Sequence, residues 1–152
     1  MTYESLLKEA MHHGIDIYEK PMHYKIKGLY ADDVIWINRN QTKTEKACIL
    51  AEELGHYHTT AGNIIDQSKI ANRKQELRAR QWAYYYLIPL SKIVQALRKG
   101  ICSRYELADY LGVTEDFLDD ALKRYQKKYG THIKIDGYTL RFNPLGIMEL
   151  FD

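Results

Sequence analysis

Ala51-Glu52-Glu53-Leu54-Gly55-His56 differs by one residue from the helical pattern His-Glu-x-x-His. In that pattern two imidazoles one turn apart hold a metal ion, and the glutamate between them works as a general base. Here Glu52 stands at the first ligand position, Glu53 at the base position and His56 at the second ligand position. A helix advances about 100° per residue. Glu52 and His56 therefore share a face, one turn apart, with Glu53 on its edge. Ile49 continues that face, and Ala47, Leu50 and Leu54 make the neighbouring apolar stripe that should enter the core. Two carboxylates beside an apolar surface need positive compensation. A divalent metal is one candidate and arginines are the other. A glycine in a helix interior costs about 1 kcal/mol, so Gly55 marks a close approach by another backbone or a ligand.

A third ligand must come from elsewhere in the chain. Glu76 is the best placed, on a second long helix where it shares a stripe with Ala79, Ala83 and Leu87. Two alanines one turn apart let another helix come close. Glu52, His56 and Glu76 would then surround one ion, with Glu53 beside its water. The bland alternative for Glu76 is an ion pair with Arg80 at i+4. For His56 it is a core-edge imidazole bonded to a carbonyl.

The segments Ile49 to His56, Glu76-Leu77-Arg78-Ala79, and Trp82-Ala83 to Leu87-Ile88-Pro89 resemble the ImmA/IrrE family of metallo-endopeptidases. The resemblance is close over residues 44–89 and looser on either side. It implies a small zincin-like peptidase, often carried by phages and mobile elements, that cleaves a helix-turn-helix repressor and so acts as an anti-repressor. Carried over by position, it makes Glu53 the catalytic base and His56 and Glu76 metal ligands. Glu52 takes the place of the missing histidine. Zinc accepts carboxylate oxygen, so zinc is the first expectation. A set of two carboxylates and one imidazole is harder than the usual one and brings manganese and iron(II) into range. Its extra negative charge should make a bound water less acidic.

Around this centre the chain reads as α+β and mainly helical. A helix is predicted over residues 3–13, a short strand through Ile15 and Ile17, and strands over 24–30 and 34–38 joined at Asp32-Asp33. Thr44 is the expected cap of a helix over 45–58. A break follows at Thr59, Thr60, Gly62 and Asn63, then helices over 72–87 and 91–98. Ser103 and Thr114 should cap two more, and Asp136-Gly137 should turn a hairpin. Three helices followed by a hairpin is the order of a winged helix-turn-helix. The expected division is a zincin-like core with an N-terminal β-hairpin or sheet over residues 1–89, and a winged-helix-like lobe packed on it over 90–152.

The 152 residues carry a formal net charge of +2, too small to imply a nucleic-acid or membrane partner. No apolar run reaches the roughly 20 residues of a membrane span, and the start of the chain lacks the basic and apolar regions of a signal peptide. A cytoplasmic protein is expected. Cys48 and Cys102 form no C-x-x-C pair, and both are expected reduced and buried. Of the 13 tyrosines, the run Tyr84-Tyr85-Tyr86 offers oxyanion donors. His58 lies about 200° around the helix from His56, so one ion cannot reach both while the helix persists, and His58 is an alternative ligand only past the helix end. His12, His13, His23 and His132 read as scattered surface or packing residues.

Three functions compete. The first is a metal-dependent endopeptidase acting on a repressor. The second is a winged-helix DNA-binding regulator. The expected recognition helix, however, begins with Glu115, Asp116, Asp119 and Asp120, which would repel phosphates, so direct nucleic-acid binding is not expected. The third is a catalytically weak or inactive relative whose acidic face grips and sequesters a basic repressor domain.

Overall fold

The computed structural model describes residues 2–59, 69–101 and 103–149, the side chains of 69–72 excepted. The chain divides into two compact units, Met1–Leu87 and Ile88–Asp152. Helices dominate, and each unit has one small sheet.

The first unit runs α1 (Thr2–His12), β1 (Asp16–Lys20), β2 (Gly28–Ala31), β3 (Val34–Asn38), α2 (Lys43–Thr59) and α3 (Lys69–Leu87). The sheet order is β1-β3-β2, with β1 parallel and β2 antiparallel to β3. Asp32 and Asp33 both take positive φ at the β2–β3 turn, the conformation that a tight two-residue hairpin requires. The strand expected over 24–30 begins only at Gly28. Asn38 explains the shortening. Its buried side chain donates to the carbonyls of Met22, His23 and Ile26, at 3.2, 3.2 and 2.8 Å. Those carbonyls are thereby turned away from any ladder.

Thr42, not Thr44, caps α2. Its Oγ1 accepts from the Glu45 amide at 3.1 Å, and the Glu45 carboxylate accepts from the Thr42 amide at 3.3 Å. This reciprocal pair is a capping box, and it leaves Thr44 inside the first turn. Leu50, Ala51 and Leu54 of α2 are fully buried, as are Leu6 and Ala10 of α1, Ile35 and Ile37 of β3, and Ala79 and Ala83 of α3. Glu19 of β1 anchors the polar edge. It meets Lys46 of α2 at 2.5 Å and accepts from the Tyr3 hydroxyl of α1 at 3.0 Å. Lys46 and the Tyr3 hydrogen bond hold the Glu19 carboxyl below its ordinary pKa against the opposing effect of burial. The expected break at Thr59 does not occur there, since Thr59 belongs to α2. Thr60, Gly62 and Asn63 lie outside the described residues.

The second unit runs α4 (Leu90–Arg98), α5 (Arg104–Leu111), α6 (Glu115–Tyr129), β4 (His132–Ile135), β5 (Tyr138–Phe142) and β6 (Leu145–Glu149). The Ser103 and Thr114 hydroxyls accept from the amides of Glu106 and Phe117, so both predicted caps are in place. Tyr125 buries its ring and donates its hydroxyl to the Ile88 carbonyl at 2.7 Å. The expected hairpin turns at Asp136-Gly137 and gains a third strand, β6, antiparallel to β5. Arg104 grips the acids that open α6. It reaches Glu115 at 2.8 Å and Asp119 at 2.6 Å, with Asp116 at 3.7 Å. Three of the four acids expected as a face at the start of α6 are thus engaged within the unit.

Cys48 is a buried thiol, and Cys102 lies outside the described residues. Among the described residues no helix is long and apolar enough to cross a membrane.

Candidate metal centre

Gly55 is where α2 and α3 come closest. A Cβ placed there would lie 2.1 Å from the Ala79 carbonyl oxygen, far inside any tolerable contact. Ala79 and Ala83 are fully buried, so the small residues on both helices permit the approach. One residue beyond Gly55, His56 Nε2 lies 3.1 Å from Glu76 Oε1. The imidazole is largely covered and the carboxylate is half exposed. Among the described residues Glu76 pairs with His56 and forms no ion pair with Arg80.

Glu53 is covered from the sheet side. A Cβ built on Gly28 of β2 would fall 2.6 Å from Ile49 Cγ2 and 3.5 Å from Glu53 Cγ. The edge strand therefore lies directly against the carboxylate-bearing face of α2. Burial, then the charges of Glu52 and Glu76, raise the Glu53 carboxyl to a pKa of about 7. Its half-buried neighbour Glu52 is near enough for its charge to act on Glu53.

The four predicted residues are thus neighbours, in two degrees of closeness. His56 and Glu76 are in contact, and Glu53 stands beside them. Among the described residues, Glu52 is not gathered with His56 and Glu76 into one set of donor atoms within 4.8 Å. Donors on tetrahedral zinc with bonds of about 2.0–2.2 Å sit about 3.3 Å apart. The 3.1 Å between His56 and Glu76 fits two ligands of one divalent ion, and the imidazole–carboxylate pairing suits zinc, manganese or iron(II).

Tyrosines lie on both α2 and α3 and on the edge strand β2. Tyr84 is buried, and Tyr86 stacks on Trp82 with ring centroids 5.1 Å apart. Tyr30 follows Gly28 by two residues on the same strand face. Its ring meets that of Tyr57, one turn beyond Glu53 on α2, at 6.4 Å. Burial, then Asp33, Tyr57 and Asp32, raise the Tyr30 hydroxyl, so it stays protonated and able to donate. The signal in the sequence was its i+2 spacing from Gly28.

His58 and His13, read as bystanders, are not scattered. Among the described residues, the set of three potential ligands whose donor atoms lie within 4.8 Å of one another is Glu9, His13 and His58. Burial and the neighbouring His13 lower the His58 pKa, with Glu9 opposing.

A helix carrying Glu53 and His56 is thus pressed through a glycine onto a second helix that supplies Glu76. Residues 10–123 match the IrrE N-terminal-like domain of peptidase family M78, and the chain belongs to that family. No curated protein matches it.

Proposed function

We propose that this chain is a metal-dependent endopeptidase of the ImmA/IrrE type, with a zincin-like first unit and a winged-helix-like second unit, acting as an anti-repressor on a helix-turn-helix repressor. The 3.1 Å contact between His56 and Glu76, beside the sheltered Glu53, carries the reading. His56 and Glu76 would hold a divalent ion, zinc first, with Glu52 one turn before His56 as the further donor. A bound ion supplies Lewis acidity, which polarises a carbonyl and makes a nearby water more acidic.

The chain's own residues do the rest. Glu53, with its pKa of about 7, is poised to take a proton from water at neutral pH and return it to a leaving amine. Tyr30, kept protonated, offers a donor to a developing oxyanion along the same row. The edge strand β2 supports a polypeptide substrate. Its order in the sheet leaves one side unpaired among the described residues, and an extended peptide can add there by backbone hydrogen bonds. Gly28 brings that strand to Glu53.

A second reading rests on Glu52. A carboxylate in place of imidazole, not gathered with His56 and Glu76, suits a weak or inactive site in a protein that binds and sequesters the repressor. One experiment separates the two. The protein is mixed with zinc, manganese or iron(II) and the helix-turn-helix repressor encoded beside its gene. Fragments that vanish with Glu53→Gln support the peptidase. A stable complex without fragments supports sequestration. Neither fragments nor complex would sink both.

A further inference from the structure

We infer that Glu9, His13 and His58 form a second divalent-metal site, of zinc-binding character, that clamps α1 to the last turn of α2. Glu9, on the last turn of α1, and His13, one residue past its end, stand at i and i+4, and their side chains meet. His58 enters from α2. Glu9 Oε1 lies 3.1 Å from His13 Nε2 and 3.5 Å from His58 Nε2. Both distances bracket the roughly 3.3 Å between donors on tetrahedral zinc with bonds of about 2.0–2.2 Å. All three donor atoms fall within 4.8 Å of one another.

The rings are arranged for convergence. His13 and His58 meet edge to face, with centroids 4.7 Å apart and planes at 84°. The His58 ring is fixed from behind by Trp82, which stacks on it at 4.5 Å and 17°. Tyr86 backs Trp82 in turn. A ligand held in one orientation by its surroundings loses little freedom when an ion arrives.

His58 Nε2 is out of reach of solvent and makes no hydrogen bond of good geometry among the described residues. A shielded ring nitrogen aimed at a carboxylate oxygen 3.5 Å away leaves room for an ion between them. His13 is exposed, which supplies an entry path and an open position for water as fourth ligand. Two imidazoles and one carboxylate suit zinc better than manganese or magnesium. His58 points about 200° around α2 from His56, and the group shares no residue with the His56–Glu76 pair. It ties down the turn that follows His56.

The test uses the full chain with cobalt(II) and zinc as probes, in a His56→Ala background that removes the other site. This protein should retain one tightly bound cobalt(II) with the intense visible absorption of a tetrahedral ion, and zinc should raise its Tm. Adding His13→Ala should weaken binding at least a hundredfold and abolish both signals. The exposed position of His13 makes loss of folding unexpected, and Glu9→Gln repeats the test on the other donor. If the His13→Ala and Glu9→Gln proteins keep the cobalt stoichiometry and zinc-induced Tm rise of the His56→Ala parent, the second site does not exist. The same result follows if that parent binds no cobalt at all. Either outcome leaves the peptidase reading untouched.

Discussion

One side of α2 gathers three carboxylates, Glu52, Glu53 and Glu76, around a single imidazole, His56, beneath the backbone of β2. The other side sets one carboxylate, Glu9, between two imidazoles, His13 and His58, against the flat face of Trp82. On the first side burial, and after it the charges of Glu52 and Glu76, make Glu53 hold its proton to a pKa of about 7. The second side has no such surplus, since it sets a single carboxylate beside two imidazoles. The harder, acid-rich side suits a reacting centre whose charge changes during turnover. The imidazole-rich side suits an ion that stays put. A single helix can carry both because residues 56 and 58 point about 200° apart.

The largest effect should come from the glycine that makes the first side possible. Gly55→Ala drives a methyl into the Ala79 carbonyl at 2.1 Å, and backbone cannot yield as a side chain can. We expect a loss of about 3 kcal/mol or more in denaturant unfolding. His56 and Glu76 should separate as the helices part, lowering metal affinity on that side. A variant of wild-type stability would show that the helices are not pressed together at this point.

Next in size is a pH effect confined to the same side. The folded metal-free chain holds the Glu53 proton more tightly than the unfolded chain does, with a pKa of about 7 against 4.5. Stability should therefore be fully present below about pH 4.5 and fall as pH rises through 7, by up to about 3 kcal/mol. Glu53→Gln should flatten that slope and be the more stable protein at pH 8. Equal slopes in the two proteins would mean that Glu53 is well solvated. Trp82→Leu probes the other side. It should cost about 1 kcal/mol beyond lost area through the His58 stack, with no change in the slope set by Glu53.

The two sides also differ in how far residues alone disclose them. Gly55 announces a close approach because a glycine has a known cost in a helix, and Ala79 and Ala83 announce the partner. Glu76 follows from their stripe. All of this is local periodicity on two long helices. The Glu9–His13–His58 cluster is another matter. Its i, i+4 pair at the end of α1 and just past it is visible, but its meeting with His58 depends on how α1 packs across α2. No helical period encodes that. The same holds in the small sheet. Val34–Asn38 is readable as a strand, yet Asn38 bends residues 22–26 out of the strand that alternation suggests. Ser103 and Thr114 are unambiguous caps because single hydroxyls precede their helices. Thr42 and Thr44 compete, and Glu45 decides for Thr42 by completing a box that Thr44 cannot make. β6 has little alternation to read, and only its pairing with β5 defines it.

The smallest effect tests whether the two sides are independent. Thr42 caps α2 at the end away from both clusters, so its loss should loosen the helix without favouring either side. Thr42→Ala removes the hydroxyl that receives the Glu45 amide and should cost about 1 kcal/mol. Fraying at a capped end fades within a turn or two, and Glu52 lies more than two turns further on. Metal stoichiometry on both sides, and the pH slope set by Glu53, should therefore match wild type once the lower Tm is allowed for. If Thr42→Ala instead weakens cobalt binding in the His56→Ala background, the Glu9–His13–His58 side is sensed through the whole length of α2. The helix would then couple the two sides rather than merely carry them.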